Sequence, residues 1–127
     1  MQTSKNKFQY PDMTYRKNVR NYFDLESRMS KFGEETILLC RKLTQDAINK
    51  PLISQIIRSA TSIGANYAEA TCASSKKEAQ ETIHWIKMLK AAAPEREDGL
   101  QKLMRENYEL ILILQAIANK VNAEDKK

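Results

Sequence analysis

This chain of 127 residues contains few of the residue types that commonly form reactive sites and sharp turns. It has one histidine, two cysteines, three glycines and three prolines. A single histidine excludes a multi-histidine metal site, and the lack of a glycine-rich loop excludes the common phosphate-binding motifs. Few helix breakers and no alternating β-branched runs argue against strands. We therefore expect a protein that is not an enzyme, with no catalytic residue, cofactor, metal or identifiable small-molecule substrate.

The sequence also lacks the segments that direct a protein into or across a membrane. No apolar run approaches the roughly 20 residues of a membrane-spanning helix, and residues 1–10 lack the apolar core of a signal peptide. Cys40 and Cys72 match no metal or redox spacing, which indicates two small thiols lining the core in a reducing compartment, a disulfide being the alternative. The sequence predicts a cytoplasmic protein with no membrane partner.

What the sequence does contain is four stretches in which apolar residues recur at alternating steps of three and four. This spacing keeps one face of a helix against a neighbouring helix, so it predicts helix-on-helix packing. With three short connections, the predicted fold is all-α, an antiparallel up-down-up-down four-helix bundle. The residues expected in its interior are Leu25, Phe32, Leu39, Ile56, Ile63, Ile83, Ile86, Leu103, Leu110 and Leu114.

Positive charge is concentrated at the N-terminal end. The net charge is +5, and residues 1–20 carry five basic residues against one acidic residue, whereas the remainder carries 16 basic and 15 acidic residues. Such a segment is typical of a phosphate-seeking arm or of a solvated tail. The predicted organisation is a flexible basic N-terminal segment over 1–20, the bundle over 21–122 and a charged C-terminal tail over 123–127.

Local signals place the helix starts. The first helix is expected to begin near Tyr22, and Gly33 within it is expected to permit close approach of another backbone. Pro51 suits the first turn of the second helix, with Asn49 as its cap. The Ser-x-x-Glu spacing that starts at Ser75 has the form of a capping box and predicts that the third helix begins there.

One flank of the second predicted helix is polar. Four residues follow one another there at steps of four, four and three: Arg58, Ser62, Asn66 and Glu69. Side chains at these steps share a flank, and a half-buried network of this kind fixes helix register and partner choice more than it adds stability. A ligand or nucleotide pocket is the alternative interpretation.

The fourth predicted helix has more apolar surface than one seam can use. Residues 110–114 are all apolar and cover the whole circumference of a helix, so some of them face outward and predict a homo-oligomer. The residues expected in the oligomer interface are Trp85, Met88, Tyr108, Leu112 and Ile113. The alternative function is nucleic-acid binding by an oligomeric ring. Its expected contacts are Lys76, Lys77, Lys87 and Lys90.

A known family signature is similar to two runs of this chain, SQIIRSATSIGANYAEA at residues 54–70 and SSKKE at residues 74–78. The signature belongs to small bacterial four-helix-bundle proteins related to those encoded by intervening sequences in 23S ribosomal RNA genes. FDLE at 23–26, KFGE at 31–34 and ETIHWIKML at 81–89 also resemble this family. The resemblance implies a four-helix bundle that forms a homo-oligomer, typically a pentameric ring, with no established enzymatic role.

The same resemblance has two further implications. A related branch, the accessory variability proteins of diversity-generating retroelements, forms basic pentameric barrels that bind nucleic acid and a reverse transcriptase, whereas the body of this chain is close to neutral. Family members also carry about three additional helical turns before the Glu-Ala-x-Glu-Thr segment, which here begins at Glu78. The third helix is therefore expected to be the shortest of the four.

Overall fold

The computed structural model describes residues 15–69 and 71–125, with their side chains over 25–68 and 71–123. These residues form helices and connections without any strand, which confirms the all-α class. The elements are α1 (Tyr15–Arg41), α2 (Asn49–Glu69), α3 (Cys72–Ala92), a short 3₁₀ turn (Pro94–Arg96) and α4 (Glu97–Asp125). Helix α1 packs against α2, α2 against α3, α3 against α4, and α4 against α1. None of these helices is long and apolar enough to cross a bilayer.

One continuous core lies between the four helices. Every predicted interior residue is buried except Leu39, which is only partly buried. Its place in the seam is taken by Cys40, which is 3% exposed. Leu39 instead faces the first turn of α4, where its Cδ1 would lie 3.1 Å from a Cβ added at Gly99. Cys40 and Cys72 are buried thiols that form no disulfide, as expected.

Both ends of the bundle extend beyond the predicted limits. Helix α1 begins at Tyr15, earlier than the start predicted at Tyr22, so residues 15–20 of the predicted flexible segment are helical. Helix α4 continues to Asp125, through part of the predicted C-terminal tail. The remaining parts of these two segments, 1–14 and 126–127, lie outside the described residues.

The cap of α2 is Asp46, and not Asn49 as predicted. The Asp46 carboxylate accepts hydrogen bonds from the backbone N–H groups of Ile48 at 3.1 Å and Asn49 at 2.8 Å. Asn49 is buried, and its side-chain amide donates to the carbonyl of Thr44 at 2.9 Å. Asn49 therefore ties the connection to the start of the helix, while Pro51 occupies the first turn as predicted.

The predicted start of the third helix at Ser75 is wrong. Thr71 is the N-cap, and its hydroxyl accepts the backbone N–H of Ser74 at 3.0 Å, so α3 begins at Cys72. Ser75 is buried inside the helix, and its hydroxyl donates to the carbonyl of Ile63 on α2 at 2.7 Å. With this earlier start α3 has 21 residues, the same as α2, so these two are equally short and α3 alone is not the shortest of the four α-helices.

Candidate interaction surfaces

Arg58 connects the exposed flanks of α2 and α3. Its guanidinium lies 3.2 Å from the Glu78 carboxylate and 2.5 Å from that of Glu81, both on α3. The hydrogen bond to Glu81 raises the pKa of Arg58 above its ordinary value, and the bond to Glu78 acts in the same direction. Arg58 is nearly half exposed, so this cluster orients two helix surfaces and contributes little to stability.

Among the other members of the predicted polar network whose side chains are described, Ser62 and Asn66 do not bond to each other. The Ser62 hydroxyl donates to the carbonyl of Arg58 within α2 at 2.7 Å. The Asn66 amide lies 3.5 Å from the carbonyl oxygen of Ser74, a long contact with the start of α3. The Glu69 side chain lies outside the described residues. Through Arg58 and Asn66 the flank therefore contacts α3, while the predicted network that includes Glu69 stays a prediction.

The buried polar contacts between α2 and α3 were not predicted from sequence. The Thr82 hydroxyl donates to the Ser59 hydroxyl at 2.8 Å, and both residues are fully buried. Ser75 makes its hydrogen bond to α2 two turns earlier along α3. Because a buried hydroxyl without a partner is costly, these contacts favour one relative position of the two helices. The sequence signal for these contacts was that Ser59, Ser75 and Thr82, which carry small hydroxyl side chains, occupy positions on the buried faces of their helices.

An ion cluster joins α1 to α4. The Arg28 guanidinium makes two hydrogen bonds to Glu106, at 2.9 and 2.8 Å, and one to Glu109 at 2.8 Å. The bond to Glu106 is the largest influence that raises the pKa of Arg28, and partial burial opposes it. The cation is permanently charged and held by two carboxylates. The cluster therefore suits positioning of α1 against α4.

Two of the four lysines proposed for nucleic-acid contact are engaged by α4. Lys76 donates a hydrogen bond to the side chain of Gln115, and Lys90 donates one to Gln101. Lys90 also lies 3.5 Å from the Glu97 carboxylate. Both lysines are partly buried. Their ammonium groups are therefore less available to phosphate than free surface lysines are.

The other two proposed lysines are exposed but point in different directions. Neither Lys77 nor Lys87 forms an ion pair with another described residue. They are ten positions apart on one helix, which separates their directions by about 80°. The four lysines therefore do not form one continuous cationic patch within a single subunit.

Three of the five residues predicted for the oligomer interface are exposed. Leu112 is 68% exposed, Tyr108 47% and Met88 37%. Trp85 and Ile113 are partly buried and pack against the core. Leu112 follows Tyr108 by one helical turn, so these two side chains form a short exposed strip on α4.

The structure distributes the five residues over three edges of the bundle. Trp85 follows Glu81 by one turn and shares its flank, which faces α2. Tyr108 lies between two glutamines of α4 that bond to lysines of α3, so it belongs to the edge between α3 and α4. Ile113 follows Glu109 by one turn, on the flank that faces α1. The predicted single patch is therefore divided.

A further exposed apolar surface was not predicted. Ile37 and Leu38, on the outer face of α1, are 37% and 55% exposed, and Ile48 in the connection to α2 is 68% exposed. Two shallow clefts between α1 and α2 meet at Ile37, with volumes of about 260 and about 300 Å³. The first is lined by Gly33 and Gly64, whose lack of side chains leaves it open.

The described histidine, cysteine and acidic side chains were candidates for a metal site or a reactive group. No group of three histidine, cysteine or acidic side chains among them is placed to hold a metal ion. His84 is exposed, and its ring lies edge-on to Trp85 with centroids 4.7 Å apart. Burial raises the pKa of the Cys40 thiol to about 11, so it is protonated and unreactive near neutral pH.

Comparison of the chain with protein-family models, curated proteins and solved structures finds no match. The relation to the 23S ribosomal RNA intervening-sequence family stays a prediction based on the residues that resemble its signature. Functional inference comes from the surfaces of the bundle itself.

Proposed function

We propose that this protein is a non-enzymatic helical bundle that assembles with copies of itself and serves as a scaffold or interaction module. The observation that carries the proposal is the exposure of Tyr108 and Leu112 on α4, beside a core that the four helices already fill. Covering such side chains with a second copy removes apolar area from water, at about 25 cal/mol per Å². Symmetric self-assembly is the commonest way in which such a surface is covered.

The proposed architecture is the antiparallel up-down-up-down arrangement. Its support is the order of contacts between consecutive helices. Ser59 on α2 contacts Thr82 on α3, whereas Ile63, further along α2, contacts Ser75, earlier along α3. Residue numbers also run in opposite order in the contacts between α3 and α4. A pentamer is the assembly that the family resemblance implies, and two buried thiols that form no disulfide favour the cytoplasm.

Size-exclusion chromatography with light scattering tests this proposal. We expect the full chain to elute as an oligomer at micromolar concentrations and Leu112→Glu to shift it toward the monomer, because the charge cannot be buried in an apolar contact. Gln55→Glu is the control, since it also replaces a neutral side chain by a charge, at an exposed site beside Arg58 on the flank of α2 that faces α3. A wild-type chain that is monomeric throughout this concentration range contradicts the proposal.

The second candidate function is nucleic-acid binding by the assembled protein. The observation that favours it is the exposure of Lys87, one turn before Lys90 on the flank that faces α4, close to the edge on which Tyr108 is exposed. A cation near an aromatic ring suits a phosphate and a base, and repetition around an oligomer multiplies a weak patch.

Filter binding to single- and double-stranded DNA and RNA over a salt series tests this second candidate. We expect affinity to fall as salt rises, because bound phosphates release counterions. Lys87→Glu is expected to lower both the affinity and the slope of affinity against salt concentration. Glu95→Lys, at an exposed site elsewhere, is expected to lower neither. Absence of binding at low salt, or binding that ignores salt, contradicts this function.

A further inference from the structure

The outer face of α1 has a symmetric arrangement of charge about an apolar centre. Glu34, Ile37, Leu38 and Arg41 occupy positions i, i+3, i+4 and i+7 of the helix, so they lie on one face about 100° wide. All four side chains are exposed. The two apolar residues are central, with an acidic residue one turn before them and a basic residue one turn after them.

The two charges at the ends of this face have no ionic partner within the described part of the chain. Glu34 and Arg41 appear in none of its ion pairs, although neighbouring residues do pair, as Lys31 does with Glu35 at 3.9 Å. Seven positions apart, Glu34 and Arg41 are also too distant along the helix to neutralise each other. Their charges are therefore available to a partner.

We infer that a second copy of this chain docks on this face, by packing of α1 against α1 in antiparallel orientation about a two-fold axis. The axis passes between Ile37 and Leu38, so each Ile37 opposes Leu38 of the second copy. The same register places each Glu34 opposite Arg41 of the second copy, and the symmetry repeats every pair. Parallel packing in register brings Glu34 against Glu34, which is repulsive. The inference rests on the proposed self-assembly. Because a five-fold ring has no two-fold axis between neighbouring subunits, this contact joins two rings and not neighbours within one ring.

The adjoining cleft between α1 and α2 suits the same partner. It has a volume of about 260 Å³ and is lined by Gly33, Gly64 and Ala65 together with Ile37. Small residues at a helix surface let a neighbouring helix approach closely, and a leucine side chain projecting from a helix fills such a recess. Leu38 of the second copy provides that side chain beside the two-fold axis.

Charge reversal in the full-length protein tests this contact. We expect Glu34→Arg and Arg41→Glu each to weaken self-association about tenfold in sedimentation velocity at low salt, because each turns two attractive pairs into two repulsive ones. An equal mixture of the two variants is expected to associate as strongly as wild type. In that mixture two positive charges on one chain face two negative charges on the other. The double variant is also expected to associate as wild type does.

Several controls and outcomes separate this contact from other modes of assembly. Glu95→Arg reverses an exposed charge in the 3₁₀ turn and is expected to leave self-association unchanged at low salt. Leu38→Ser is expected to weaken it at low and high salt alike, because the centre of the contact is apolar. Association that survives both charge reversals and Leu38→Ser overturns the α1 contact and leaves the proposed self-assembly standing. If an equal mixture of Glu34→Arg and Arg41→Glu does not regain wild-type self-association, the two-fold register is overturned. A wild-type chain that is monomeric overturns both proposals.

Discussion

The side-chain amide of Asn107 on α4 donates a hydrogen bond to the backbone carbonyl of Ala79 on α3 at 3.1 Å. Asn107 is completely buried, and its own carbonyl oxygen, Oδ1, has no hydrogen-bond partner. A polar residue therefore occupies a position in the apolar seam of α4 with only part of its hydrogen-bonding capacity satisfied. Such residues favour one alignment of two helices at some cost in stability.

Asn107→Leu is expected to raise the free energy of unfolding by about 1 kcal/mol, because it removes a buried acceptor without a partner and fills the seam with a side chain of similar size. Urea denaturation measures this change. Asn107→Asp is the matched control and is expected to lower stability by about 3 kcal/mol, since it buries a charge without a cation. A loss of stability in Asn107→Leu contradicts the prediction and means that the amide stabilises the native state.

Arg28→Met is expected to lower the free energy of unfolding by about 1 kcal/mol, because it removes a bidentate, partly screened ion pair from the smallest of the helix interfaces, between α1 and α4. The matched control is Lys31→Met, which loses only an exposed contact of 3.9 Å with Glu35 and is expected to change stability by less than about 0.5 kcal/mol. Both are measured by urea denaturation at low and high salt. Equal losses in the two variants contradict the prediction.

The periodicity of the sequence predicted the helices and nearly the whole core, because burial of one face requires apolar residues at helical steps. It failed at Leu39, which the alternation of four and three places in the buried face. Leu39 and Cys40 lie on opposite sides of the centre of that face, at about 100° per residue, so periodicity does not decide which of them is buried; Cys40 is buried, and Leu39 is only partly buried. Leu39 is nevertheless apolar, because its side chain packs against Gly99 on α4.

The sequence predicted the flank on which Arg58 lies but not its partners. Steps of three and four identify residues of one helix that share a flank, whereas Glu78 and Glu81 belong to α3. Which of their side chains meets Arg58 depends on the rotation and axial position of α3 relative to α2. Periodicity within one helix does not contain these quantities. The division of the predicted oligomer patch over three edges has the same cause.

Gly33→Ala is expected to raise the free energy of unfolding by about 1 kcal/mol, because alanine favours the helix and its Cβ would lie 3.5 Å from the Thr61 Cα, an ordinary contact. The expected proximity of another backbone at Gly33 is thus confirmed. Gly99→Ala is the control and is expected to gain less, since its Cβ would lie 3.1 Å from Leu39 Cδ1. Thermal unfolding of both variants at low protein concentration measures the difference. Destabilisation by Gly33→Ala contradicts the prediction.

Cys40 is expected to make stability fall as pH rises through the alkaline range. Burial raises the pKa of its thiol from an ordinary value of 9.0 to about 11, so between these values the folded state binds more protons than the unfolded state. Linkage then requires the free energy of unfolding to decrease with increasing pH over that window, and to be unaffected by this group below it. Urea denaturation at about pH 8 and about pH 10 measures the decrease.

Cys40→Ala isolates this contribution from the other groups that titrate in the same range. The variant is expected to be less stable at both pH values, because it leaves a small cavity, but to lose less stability than wild type between them. With Cys72→Ala, which leaves Cys40 as the remaining thiol, labelling by a thiol reagent is expected to be much slower than labelling of the unfolded chain near neutral pH. Equal pH dependence in wild type and Cys40→Ala, or rapid labelling of the folded chain, contradicts a buried protonated thiol at this position.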